Sequence, residues 1–186
     1  MKRYIYFLAI LIVGLFFGCS KDNSISNPDL QGTKKQKSLI ELPGTDGAAT
    51  EATNTFTFNV NGWEGAYQTM YLNFPGGNAT VSANYKFPKK VFSGQKTIVI
   101  TFSNDKASAT YTPTPLYFNA PVIANITYTG LNLAGVDPDE VDFVYLPPTG
   151  NFEAITYDRL EVNVNTGVIK VVNAKLYHFS KYGFVD

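Results

Sequence analysis

Four carboxylates fall within six residues, at Asp137, Asp139, Glu140 and Asp142, and hard oxygen donors at that density suit calcium. The spacing departs from the twelve-residue calcium loop, since Gly at its sixth position and Glu at its twelfth are missing. Asp137-Pro138 serves equally well to open a turn, with Asp139 and Glu140 facing water. Trp63, Tyr67 and Tyr71 form a second group, whose flat rings suit an aromatic platform for a sugar. Aromatic residues at alternate strand positions more commonly fill a core, and Trp63, beside the Asn61-Gly62 turn, is the one expected at the surface. Hydrolase signatures are missing: there is no Gly-x-Ser-x-Gly elbow, no histidine pair for zinc and no phosphate loop. A carboxylate pair for glycoside hydrolysis is assembled only by a fold, and the sequence singles none out.

Composition narrows the choices further. The chain has 186 residues, with Lys+Arg 15 against Asp+Glu 15, one His and one Cys. Balanced charge gives no field to attract a polyphosphate, so nucleic acid is not an expected partner. One Cys excludes a disulfide framework and a Cys-rich metal site, and one His excludes a multi-histidine metal centre. No cofactor is therefore expected, calcium at the acidic cluster being the one alternative for which the sequence offers ligands. Met1-Lys2-Arg3 is basic, and residues 4–18 are uncharged and mostly apolar, ending in small Gly18. Fifteen residues fall short of the about 20 that a spanning helix needs, and the pattern is that of a secretory leader over 1–18. Cys19 follows at once. The arrangement resembles a bacterial lipoprotein signal, in which that Cys is acylated, palmitate included, and anchors the mature chain. Phe16 stands where the family usually has Leu, and Leu15 is one position further back. Ser20-Lys21-Asp22-Asn23 resembles the Lys/Asp-containing tetrapeptide with which some Gram-negative groups display lipoproteins at the surface. The resemblance implies export, an anchor in the envelope, in the outer membrane and facing either the periplasm or the outside, and a membrane partner through Cys19.

Residues 19–52 are polar and small, without an aromatic ring, and such a stretch cannot bury enough surface to offset its conformational entropy. They read as a flexible tether, with Lys34, Lys35 and Lys37 solvated. From residue 53 to 186 the texture is that of strands. Phe56, Phe58 and Val60 alternate with Thr57 and Asn59, the period of a half-buried strand. Similar runs are expected over 67–74, 81–85, 97–102, 107–111, 116–118, 122–128, 141–146, 152–157, 160–164 and 168–172, with a last strand over 176–184. Asn165-Thr166-Gly167 marks a hairpin, and one helical turn is possible near 137–141. Short strands at this spacing describe an all-β antiparallel sandwich, immunoglobulin-like or similar.

The second half resembles the "ZU-five" β-sandwich domain of zonula occludens proteins, netrin receptors and ankyrins. The phrases that carry it are Ala109-Thr110-Tyr111-Thr112-Pro113, Phe118-Asn119-Ala120-Pro121-Val122, Tyr128-Thr129-Gly130-Leu131, Val141-Asp142-Phe143-Val144-Tyr145 and His178-Phe179-Ser180-Lys181-Tyr182. The resemblance implies a non-enzymatic scaffold or interaction module, with a protein or glycan as partner. It also implies one reaction, because a His-Phe-Ser strand in one member of that family cleaves itself. Carried over, the Ser180 hydroxyl would attack the Phe179 carbonyl, an acyl shift from nitrogen to oxygen would give an ester, and water would hydrolyse it. His178, two residues away on the same strand face, would act as base. In the alternative use His178 and Ser180 belong to an ordinary last strand.

Overall fold

The structure is a computed structural model that describes residues 37–43, 54–75 and 77–186. The leader, Cys19 and most of the tether lie outside the described residues. Among the described residues there is no helix, and eleven strands run in chain order: β1 Thr55–Asn61, β2 Ala66–Asn73, β3 Thr80–Phe87, β4 Gln95–Phe102, β5 Ser108–Thr112, β6 Leu116–Thr129, β7 Asp142–Tyr145, β8 Glu153–Ala154, β9 Arg159–Asn163, β10 Val168–Phe179 and β11 Lys181–Val185. They form two antiparallel sheets, ordered β1-β4-β5-β11-β7-β8 and β2-β3-β6-β10-β9. The fold is an all-β sandwich.

Alternation builds its core. Val81, Ala83, Tyr85 and Phe87 of β3, Val122, Ala124, Ile126 and Tyr128 of β6, and Ile98, Ile100 and Phe102 of β4 are all buried. Each large side chain so placed contributes about 1.5–3 kcal/mol. Aromatic rings fill the middle: Phe179 lies 5.3 Å from Tyr111 and 4.9 Å from Phe118, centroid to centroid. The buried phenols find partners, Tyr85 and Tyr111 with each other at 2.8 Å and Tyr128 with the Ser108 carbonyl at 3.3 Å. Burial pushes all three hydroxyls above the ordinary tyrosine range.

Four departures from the sequence reading have physical causes. First, part of the expected tether is docked. Ser38 N donates to Asp186 O at 3.1 Å, Ile40 N to Phe184 O at 3.0 Å and Leu42 N to Asp105 O at 2.9 Å, while Ala107 N donates to Ile40 O at 2.8 Å. Ile40 and Leu42 are buried in the main core, and Leu39 packs on Val144, Leu146 and Val185. Gly183 makes room, since a methyl group there would stand 2.8 Å from Leu39 Cδ2. Four apolar atoms' worth of side chain per residue suffice here because backbone pairing to both neighbours accompanies them.

Second, Pro121 does not divide β6. It lies where the β6–β10 register skips from Val122↔Leu176 to Tyr117↔His178, and an irregular stretch tolerates its missing donor. Third, the expected last strand is broken at Ser180. Upstream of it β10 belongs to the five-stranded sheet, and downstream β11 belongs to the six-stranded one. Fourth, the 152–157 stretch forms a ladder only at Glu153–Ala154 and then crosses between sheets, with Lys175 N donating to Thr156 O at 2.8 Å and Asp158 N to Val172 O at 3.0 Å. The hairpin turn is as expected, and Gly167 takes a positive φ of 63° there.

Candidate functional site

β2 ends the five-stranded sheet, and its side chains alternate strictly. Met70 is buried and Leu72 packs on the core, whereas Tyr67, Thr69 and Tyr71 face outward. Tyr67 is 65% exposed, Tyr71 60% and Trp63 58%. The expectation that aromatic residues at this spacing fill the core is thereby overturned for Tyr67 and Tyr71, because the core needs only one face of the strand. Trp63 sits in the tight turn before β2, where its backbone N–H donates to Asn61 Oδ1 at 3.1 Å and Gly62 N donates to Gly94 O at 2.9 Å. Tyr67 and Tyr71 stand four positions apart on the outward side of the β2 edge strand, and Trp63 lies in the turn that leads into it. Tyr71 is further fixed by a 2.9 Å bond from its hydroxyl to Asn73 Oδ1.

The register extends this edge across the sheet. Tyr71 pairs with Ser82, Ser82 with Thr127, Thr127 with Lys170 and Lys170 with Glu161. In the next such row Tyr67 pairs with Lys86, Lys86 with Ile123 and Ile123 with Lys175. Between them Thr69 Oγ1 donates to Asn84 Oδ1 at 2.9 Å. The outward face is thus a lawn of hydroxyls, amides and amines with aromatic rings at its β2 edge. At the far end Arg159 and Lys170 donate hydrogen bonds that hold the Glu161 carboxyl below its usual range.

The His178-Phe179-Ser180 triplet lies at the corner where the chain changes sheets. A bulge between Leu176 and His178 breaks the alternation expected over this stretch. Tyr177 is consequently 54% exposed while Phe179, expected on the same face as Tyr177, is fully buried. His178 is half-buried in a cleft and Ser180 is buried at the corner. Tyr182 controls the imidazole: its hydroxyl is 2.8 Å from the His178 carbonyl and 3.3 Å from Nδ1. A phenol has one proton and the shorter contact takes it, so the 3.3 Å contact is a hydrogen bond when Nδ1 carries a proton. Among the described residues no hydrogen bond joins Ser180 Oγ to the His178 ring. The expected result is therefore that the denatured chain has its uncut mass at this bond after long incubation. A mass short by residues 180–186, restored by Ser180→Ala, would reverse that reading.

The acidic cluster is divided among other tasks. Asp137 Oδ1 accepts from Asp139 N at 3.0 Å and Asp137 O from Glu140 N at 3.0 Å, a single tight turn in place of the helical turn the sequence allowed. Asp142 accepts from the Tyr157 hydroxyl at 2.8 Å and lies 3.4 Å from Lys37 Nζ. Burial and then this carboxylate push the Tyr157 phenol up to about 12. Among the described residues no group of three or more His, Cys, Asp or Glu side chains converges as a metal site.

The residues that the sequence left unmarked are those around His178. Tyr145 meets its ring edge-to-face at 4.8 Å, and Tyr145, Glu153, Thr156, Lys175, Tyr177 and Tyr182 line one cleft of about 220 Å³ with it. No sequence signal marks them, because they come from β7, β8, the crossing segment, β10 and β11.

The class defined by these observations is an all-β, two-sheet sandwich with an aromatic-edged polar face and a separate tyrosine-lined cleft. No protein family matches the chain, and neither a curated protein nor a solved structure does.

Proposed function

We propose that this chain is an exported bacterial lipoprotein, anchored through acylated Cys19, whose sandwich binds carbohydrate rather than catalysing a reaction. The observation that carries the reading is the exposed row of Trp63, Tyr67 and Tyr71 beside a polar sheet face. Aromatic faces pack against the C–H surface of a sugar ring, while hydroxyl and amide groups exchange hydrogen bonds with its hydroxyls. A row along a sheet edge suits an extended glycan. The tether and anchor would hold that face away from a membrane, and the Ser20-Lys21-Asp22-Asn23 sequence supports a surface-facing position. The interaction-module role of "ZU-five" domains fits the same picture with glycan in place of protein.

A glycan array probed with the chain and with Trp63→Ala tests the reading. Binding to extended polysaccharides, weakened about tenfold by the substitution, is the expected outcome, since truncating a contacting Trp commonly costs more than about 1 kcal/mol. Retention on no glycan would remove the proposal. Radiolabelled palmitate incorporated into the wild type and absent from Cys19→Ser is the companion result for the anchor.

A further inference from the structure

We infer that the His178 cleft is a second carbohydrate subsite, large enough for a single sugar unit and formed where β10 of the five-stranded sheet meets β7, β8 and β11 of the other sheet. The inference rests on the carbohydrate reading of the β2 aromatic row. The cleft is built rather than incidental. One wall is the crossing segment, held to β10 through Thr156 O and Asp158 N. Asn173 secures the junction, with a positive φ of 54°, its N–H on Asn125 Oδ1 at 3.0 Å and its amide on Asp158 Oδ2 at 2.8 Å. The floor is a packed set of rings, in which Tyr145 lies 4.8 Å from His178 and 5.6 Å from Tyr182.

Its polar groups are complementary and unspent. Glu153 only accepts hydrogen bonds, the Lys175 ammonium only donates, and Thr156 and the His178 Nε2 add further capacity. Among the described residues neither the Glu153 nor the Lys175 side chain has a hydrogen-bond or ion-pair partner, although both line the cleft. Opposite charges on one cleft that leave each other unpaired suit a ligand whose groups both donate and accept, which is what sugar hydroxyls do. Tyr177, more than half exposed, supplies a ring face at the rim. A volume of about 220 Å³ is enough for a single sugar ring. The row Tyr67, Lys86, Ile123, Lys175 joins this cleft to the β2 edge over three strand spacings, about 14 Å.

The single histidine makes the test direct, because one imidazole signal set reports on one place. The full chain, labelled with ¹³C-histidine, is titrated by NMR with glucose, galactose, mannose, N-acetylglucosamine and glucuronate at millimolar concentration. The expected result is a saturable shift of the His178 signals with at least one of these sugars. That shift is abolished in a folded Glu153→Gln, Lys175→Ala chain and preserved in Tyr67→Ala, Tyr71→Ala. A silent imidazole with every sugar, or a shift unaffected by the Glu153 and Lys175 substitutions, overturns the subsite. If polysaccharide binding to the β2 row persists while the imidazole is silent, the proposed function stands and only this inference falls.

Discussion

A chain beginning at residue 53 is expected to melt about 10–20 °C below one that retains residues 37–43. The estimate rests on Ile40 and Leu42, both buried, each contributing about 1.5–3 kcal/mol by transfer alone. For a chain of this size about 1 kcal/mol moves the midpoint by roughly 2–4 °C. Losing the segment also orphans Phe184 O and Asp105 O, and it uncovers Val144, Leu146 and Val185 beneath Leu39. Ile40→Ala with Leu42→Ala in the intact chain should reproduce much of the loss, because core truncations of this kind cost about 2–5 kcal/mol each. Equal midpoints for the long and short chains, read by circular dichroism, would mean that the docked segment contributes nothing. A lower midpoint for the short chain would assign residues 37–43 to the domain rather than to the tether.

Alkaline unfolding is the second large effect. Burial raises the phenols of Tyr85, Tyr111, Tyr128 and Tyr182, the last helped by the nearby Tyr111, Tyr145 and the Glu153 charge. In the unfolded chain each ionises near the ordinary value of about 10. The folded chain keeps its proton above that pH, so the unfolded state binds fewer protons and stability falls as pH rises. The contribution is fully present below about pH 10 and drains away above it. Each such phenol removes about 1.4 kcal/mol per pH unit, hence the four together about 5–6 kcal/mol per unit. A domain of ordinary stability, about 5–15 kcal/mol, should therefore unfold cooperatively between about pH 11 and pH 13. The check is phenolate absorbance followed beside circular dichroism. A single joint transition is expected, whereas smooth titration of all the tyrosines with the sheet signal intact would contradict the buried phenol network.

The sandwich was legible because most of its strands alternate more and less buried residues with period two. β1 to β5 and the β9–β10 hairpin lie where alternation and turn residues put them, within a few residues. What escaped was non-local. Ile40 and Leu42 look like stray apolar residues in a polar stretch, and only the groove beside Gly183 gives them a place. Pro121 reads as a strand break until a bulge accommodates it. The corner at Ser180 has no local signal at all, since residues 176–184 alternate well enough for one strand. For the candidate site, the exposure of Trp63 was legible from the turn beside it, but that of Tyr67 and Tyr71 was not, because alternation tells which residues share a face and not which face is wet. The cleft was illegible apart from His178, being assembled from five separate elements.

The account turns on whether the outward β2 face binds glycan. The most direct measurement is the affinity of the chain for whichever polysaccharide it retains best, compared with Tyr67→Ala, Tyr71→Ala, both chains first shown to melt alike. These two rings face water, so the substitutions should leave stability nearly unchanged while weakening binding by tenfold or more. Unchanged affinity in the double variant would contradict the assignment of this face, whatever the rest of the sandwich does.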